Sequence, residues 1–177
     1  MNHLATPSAY GTLTEPTTLT IQRHLPGPIE RAWAYLVESD LRRQWLAAGD
    51  MPTTPGESFT LTWRNDELTN PPGTRPEGMS AEHSATCELA TYDPPNTLAF
   101  QFGPHGLVTI TLEAAGTRIL LTLTHARLLN RNTTLNVSAG WHMHLDLLVA
   151  RTAETEPQPF WDGWARLKTE YTNRLPG

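Results

Sequence analysis

Cysteine is almost missing from this 177-residue chain: Cys87 stands alone, so no intrachain disulfide can form and a reducing, cytoplasmic setting suits the protein. No apolar run approaches the roughly 18 residues that a membrane span requires. The stretch from Met1 to Pro16 has neither the basic region nor the apolar core of a secretory signal. Positive charge is scarce and scattered. Thirteen Lys and Arg face 18 Asp and Glu for a net charge of −5, and Arg42-Arg43 is the one adjacent basic pair. A nucleic-acid footprint needs a basic stripe, so we expect no nucleic-acid partner, and no membrane partner either. Glycine-rich phosphate loops, dinucleotide fingerprints and a nucleophile-elbow serine are all absent.

What remains is the composition of a globular domain, 38% hydrophobic and 18% charged. A chain of this length buries about 70% of the surface its unfolded form exposes. We expect one domain over residues 10–177, preceded by a frayed segment at 1–9. Tyr10 to Leu13 reads as a short strand. In Thr17–Leu25, Leu19, Ile21 and Leu25 alternate against Thr20, Gln22 and His24, which is a strand with one apolar face. Pro26-Gly27-Pro28 ends it and opens a helix, with Pro28 at the first helical position, Glu30 in the first turn and Ile29, Ala32, Trp33 and Leu36 as the buried stripe. Ser39 reads as the cap of a second short helix carrying Leu41 and Trp45.

The period then changes from 3.6 to 2. Phe59, Leu61 and Trp63 share a face, as do Ala85, Cys87 and Leu89, then Leu98, Phe100 and Phe102, then Val108, Ile110 and Leu112, and lastly Ile119, Leu121, Leu123 and His125. Short turns such as Asp93-Pro94-Pro95-Asn96 and Ala115-Gly116 make sequential antiparallel pairing the natural topology. Asn65–Met79, rich in Pro, Gly, Asn and Thr, reads as an exposed, mobile loop, and Leu129–Ala139 as a second loop. A helix follows from Gly140, with Trp141, Leu145 and Leu148 on one face. Thr155–Pro159 breaks it before a final helix in which Phe160, Trp164, Leu167 and Tyr171 repeat at 4-3-4.

This order of elements resembles the START-like helix-grip fold: α+β, a curved antiparallel sheet of about six strands wrapped around a long C-terminal helix, with two short helices after the first strand. Within it, Ile21-Gln22-Arg23, Pro28–Trp33 and Trp45 resemble the opening of one branch. Tyr92–Phe100 resembles that branch's hairpin, and Thr117–His125 with Gly140–Leu148 completes the pattern. The chain is therefore similar, over about residues 10–175, to the family named after the activator of heat-shock protein 90 ATPase homologue, in the SRPBCC superfamily. The resemblance implies a cavity rather than a reaction, and a small hydrophobic or aromatic ligand rather than a cofactor. The eukaryotic co-chaperones behind the family name carry a further N-terminal domain. Here about sixteen residues precede the first clear strand, so chaperone activation is not the expectation.

Candidate chemistry is sparse. His142-x-His144-x-Asp146 imitates part of a metal signature, but helical residues two apart point about 200° from each other, so no shared metal is expected. His142 and Asp146, four apart, can form an exposed pair. Asp66 and Glu67 read as solvated loop charge, not as an acid–base pair. Cys87 reads as core packing, and so do Trp33 and Trp164. His125 closes an apolar face; it is either a polar group inside the cavity, able to orient a ligand or transfer a proton, or a strand-end histidine bonded to loop backbone. The expected cavity wall is Trp45, Trp63, Cys87, Leu89, Phe100, Ile110, Leu121, His125, Trp141, Leu145 and Leu148. Three functions stay open: a ligand binder with no chemistry of its own, a cavity enzyme using His125, and a protein-interaction module using the Asn65–Met79 loop.

Overall fold

The computed structural model describes residues 8–177. Of the segment expected to fray, residues 1–7 lie outside the described residues, and Ser8 and Ala9 are exposed. Seven strands form one antiparallel sheet: β1 (Thr12–Glu15), β2 (Thr18–Pro26), β3 (Ser58–Trp63), β4 (His83–Asp93), β5 (Thr97–Gln101), β6 (Leu107–Ala115) and β7 (Arg118–Ala126). Their order is β1-β2-β7-β6-β5-β4-β3. Strands β4 to β7 thus pair in sequence across short turns, as expected, β3 pairs with β4 across the long loop at 64–82, and β2 closes onto β7 with Leu19 opposite His125 and Leu25 opposite Ile119. The alternating residues of these strands put Leu61, Leu89, Val108, Leu121 and Leu123 on one face, all fully buried. That face is the concave one, and the helices cover it.

Between β2 and β3 lie α1 (Ile29–Val37) and α2 (Ser39–Arg42). Pro28 caps α1 from one position before its expected place. Ser39 does not cap α2; its hydroxyl accepts a hydrogen bond from Gly49 N–H at 2.9 Å. Arg42, half of the only basic pair, is 2% exposed and has no carboxylate partner among the described residues. Its guanidinium donates instead to the carbonyls of Leu36, Val37, Ala47 and Gly49. A buried cation is tolerated when every N–H finds an acceptor, and here it staples the end of α1 to the loop that leads into β3. Burial lowers its pKa to about 10.

The long helix α3 runs over Arg131–Ala153, nine residues before Gly140 included, so the expected loop at 129–139 is mostly helix. Asn130 caps it, its side-chain oxygen accepting from Thr133 N–H at 2.9 Å. The polar turn that follows carries no apolar period, which is why hydrophobic patterning misses it. The final helix α4 (Phe160–Arg174) then packs against the side of α3 that faces away from the sheet. Gly163 permits the close approach, since a Cβ there would lie 2.5 Å from Met143 Sδ.

Because α4 covers that side, α3 is buried nearly all round, and His142 and His144 are 5% and 6% exposed rather than on the surface. His142 Nδ1 lies 2.8 Å from the Tyr171 hydroxyl of α4, and its Nε2 lies 3.4 Å from Asp146. Gly11 N–H donates to the same hydroxyl at 2.7 Å, so the phenol joins α4 to both α3 and the segment before β1. Asp146 in turn accepts from Nε and Nη2 of the buried Arg23 at 3.2 and 3.0 Å. The pair expected to be exposed is therefore the middle of a chain of contacts that joins β2, α3, α4 and the segment before β1. His144 donates from Nδ1 to the carbonyl of Trp45 at 2.8 Å, committing the two histidines to different partners.

Burial holds His142 down at about 3 and His144 at about 4, against an ordinary value of 6.5. Between those values the unfolded chain binds protons that the native one does not, so stability rises with pH across the window. It is fully present above pH 6.5 and is lost progressively toward pH 4, each histidine contributing on the order of 2 kcal/mol by pH 5. Urea unfolding at pH 7.5 and pH 5 is expected to show this loss, and His142→Gln is expected to reduce the proton uptake on unfolding at pH 5 by about one. A stability unchanged between the two pH values would contradict the neutral, buried state of both rings.

Candidate ligand cavity

Most of the layer between α3 and the sheet is solid. Trp45, Cys87, Leu89, Phe100, Ile110, Leu121, Leu145 and Leu148, all expected at a cavity wall, are at most 3% exposed and pack into one core. The Trp45 indole donates to Tyr35 O at 2.9 Å, and Phe59 meets Phe100 edge-on at 5.9 Å. Burial pushes the Cys87 thiol up to about 11. These side chains fill the middle of the concave face because α1 and α2 close over it.

Toward the N-terminal half of α3 the filling stops. A hollow of about 180 Å³, open to solvent, is lined by Leu46, Trp63, Asn65, His83, Phe102, His125, Asn136, Val137, Gly140, Trp141 and His144. Three expected wall residues are among them: Trp63, His125 and Trp141. Larger depressions of about 380 to 590 Å³ lie elsewhere, but none of them is lined by any aromatic side chain. Small-molecule sites are concave, largely apolar and aromatic, with a few convergent polar groups, and among these depressions of the described residues the hollow under α3 has that character.

Local structure explains each wall. Asn136, Gly140 and His144 recur every four residues, which aligns them along one face of α3. A Cβ at Gly140 would meet no neighbour within 4 Å, so the missing side chain at the centre of that stripe is itself part of the space. Opposite, Trp63 at the end of β3 pairs in register with His83 of β4, and their rings stack at 5.0 Å and 2°. Phe102 meets Trp63 edge-on at 5.3 Å and His125 at 6.2 Å, and His125 meets Trp141 at 6.4 Å. The result is a continuous aromatic collar from His83 to Trp141.

His125 has no free nitrogen. Trp141 Nε1–H donates to its Nδ1 at 3.0 Å, and its Nε2 lies 2.6 Å from the carbonyl of His105. An indole only donates and a carbonyl only accepts, so the ring is the neutral Nε2–H tautomer. Burial lowers its pKa, in keeping with that state. The ring therefore borders the hollow while bonded to loop backbone.

Asn65 follows β3 in a 3-10 turn, Asn65–Glu67. The loop it opens, expected to be exposed and mobile, is pinned to the start of α4. Trp161 donates from Nε1 to Asp66 at 2.7 Å and from its backbone to Pro72 O at 2.9 Å, and Phe160 N–H donates to Thr69 at 2.9 Å. Asp66, read as solvated charge, also bonds Arg75. These ties hold Asn65 at the cavity, 9% exposed. Its Oδ1, like that of Asn136, is buried with no hydrogen-bond partner among the described residues. Sequence patterning missed Asn65, Asn136, Gly140 and His144. A glycine at the centre of a long helix was the available signal for the last three, since it costs helix stability and so marks a place where space is needed.

The family model described as "Activator of Hsp90 ATPase homolog 1-like protein" matches residues 26–153. A protein from Bordetella parapertussis, solved in solution, is 36% identical with a TM-score of 0.79, covering 98% of this chain and 94% of that one. CalU16 from Micromonospora echinospora is 20% identical with a TM-score of 0.64, covering 89% of this chain and 84% of that one. DynU16, a protein in the dynemicin biosynthetic locus, is 19% identical with a TM-score of 0.61, covering 84% of this chain and 51% of that one. The last two likenesses show the fold. No curated protein matches.

The His125 assignment is directly measurable. Long-range 1H–15N correlation at neutral pH is expected to show an Nε2–H imidazole with an acceptor Nδ1. Trp141→Phe is expected to destabilise the fold by about 1–3 kcal/mol, since it leaves a buried acceptor unpaired. An Nδ1–H tautomer in the native protein would contradict the bonding described.

Proposed function

We propose, for a chain that belongs to the activator of Hsp90 ATPase homolog 1-like family, that it binds a small hydrophobic or aromatic molecule in the hollow beneath α3, without chemistry of its own. The observation that carries this reading is the hollow itself: an aromatic collar around open space. The volume sets a scale. An apolar cavity of about 150 Å³ holds benzene, so about 180 Å³ takes one aromatic ring with a substituent, or the end of a larger ligand.

The alternatives draw less support. Catalysis by His125 needs a nitrogen that can exchange a proton with substrate, and both are engaged by protein groups. An interaction module built on the Asn65–Met79 loop has less to offer once part of that loop is pinned to α4. One neighbour of the same fold stands in a biosynthetic locus, a setting that suits a small-molecule binder. The cytoplasm is the compartment this reading assumes, and among the described residues no helix is long and apolar enough to cross a membrane.

Gly140 supplies the test. Gly140→Ala is expected to stabilise the fold by about 0.5–1 kcal/mol, because alanine is the better helix former and its methyl meets open space. Gly140→Leu fills the cavity from its centre. Titration of the wild type with phenol and toluene, followed by the indole N–H resonances of Trp63 and Trp141, is expected to give saturable shifts that Gly140→Leu abolishes. A folded wild type with no saturable shift for any one-ring aromatic would overturn the proposal.

A further inference from the structure

Trp63 is 6% exposed, and its indole N–H has no hydrogen-bond partner among the described residues, yet the nitrogen is not sealed off. The residue lines the hollow, so that N–H opens onto the space. Other indoles that brace the helix layer already donate to protein: Trp45 to Tyr35 O, Trp141 to His125 and Trp161 to Asp66. A buried indole ordinarily finds such an acceptor, because it can only donate. Trp63 is also held from turning. It pairs in register with His83, stacks on that ring at 5.0 Å and meets Phe102 edge-on at 5.3 Å. The carboxamides nearby lean the same way, since Asn65 and Asn136 bury Oδ1 and leave their NH2 groups as the accessible ends. His144, committed through Nδ1–H to Trp45 O, adds one acceptor from α3. No Asp, Glu, Lys or Arg lines the hollow.

From this arrangement we infer that Trp63 is the specificity-determining residue of the cavity, and that the ligand is an uncharged aromatic carbonyl compound whose oxygen accepts the Trp63 indole N–H. The inference rests on the cavity reading above and narrows it. A carbonyl oxygen has two lone pairs, so it can take the indole N–H and one carboxamide N–H together. The carboxamides can turn about their last torsion, but the braced indole cannot, and its donor fixes what the substituent must be. Two contrasts follow. A hydrocarbon of the same shape would shut water away from that N–H and offer it nothing, leaving a buried donor unpaired. An aromatic carboxylate accepts as well, but it carries a charge into a site where no Lys or Arg stands to balance it.

The test sets acetophenone against ethylbenzene, which are of nearly one size and differ in the acceptor, on the full-length chain. Trp63→Phe keeps an aromatic ring in place and removes the donor. By calorimetry the acetophenone-to-ethylbenzene affinity ratio is expected to fall about five-fold in Trp63→Phe, the difference of roughly one neutral hydrogen bond, while ethylbenzene still binds. In the wild type, saturating acetophenone is expected to move the Trp63 indole proton downfield, and ethylbenzene is not. Benzoate is expected to bind at least about ten-fold more weakly than acetophenone. A ratio unchanged by the substitution, or a Trp63 proton that acetophenone does not move downfield, would overturn the assignment and leave the cavity reading standing. Benzoate binding as tight as that of acetophenone would overturn the uncharged class. Should Trp63→Phe no longer take up ethylbenzene, the proton shift in the wild type decides alone. Saturable binding by neither neutral compound would overturn both this inference and the cavity reading.

Discussion

The apposition of α3 to the concave face of the sheet governs everything else in this molecule. Apolar contact alone would let a helix slide or roll on such a surface, because hydrophobic burial is non-directional. Directional bonds remove that freedom. Asp146 meets Arg23 of β2, Trp141 meets His125 of β7, and His144 meets the backbone beyond α2. On the far side His142 reaches Tyr171 of α4. Each tie fixes a tautomer or an orientation as well as a distance. A buried ion pair is weak support for stability but good support for register, and Arg23 with Asp146 is best understood in that sense.

With the helix so held, one end of the layer closes and the other does not. Met143, Leu145, Leu147 and Leu148 are fully buried, whereas Asn136 and Gly140 leave a gap. A dry void of this size costs on the order of a few kcal/mol by the usual measure of cavity volume. Because the hollow opens to solvent, water or a ligand recovers part of that. The aromatic collar contributes rigidity in addition, because each ring is braced edge-on or face-on by the next.

How much of this is legible in the chain depends on what a pattern can carry. The strands are legible because one buried face imposes a period of two on Leu19 to Leu25 and on Ile119 to His125, and the topology follows from short turns. The first nine residues of α3 are not, because their helix rests on the Asn130 cap rather than on an apolar stripe. His142 and His144 read as surface residues because patterning along one helix knows nothing of a second helix laid over it. The cavity shows the same limit. Alternation says that Cys87, Leu121 and Trp63 share a face, but only the relative reach of α1, α2 and α3 decides which of them faces other side chains and which faces space. Asn65 enters through a turn and a loop anchored about ninety positions away, a relation between distant segments that no local reading holds.

The lone cysteine has a practical side. With its thiol at about 11 and no exposed surface to speak of, Cys87 carries roughly one part in ten thousand of the reactive anion at neutral pH. Alkylating and spin-label reagents would pass it by in the folded protein. A thiol engineered anywhere on the rim of the hollow would then be the sole address for a fluorophore or a nitroxide, so occupancy could be followed by resonance energy transfer or electron paramagnetic resonance with the natural sulfur left in place.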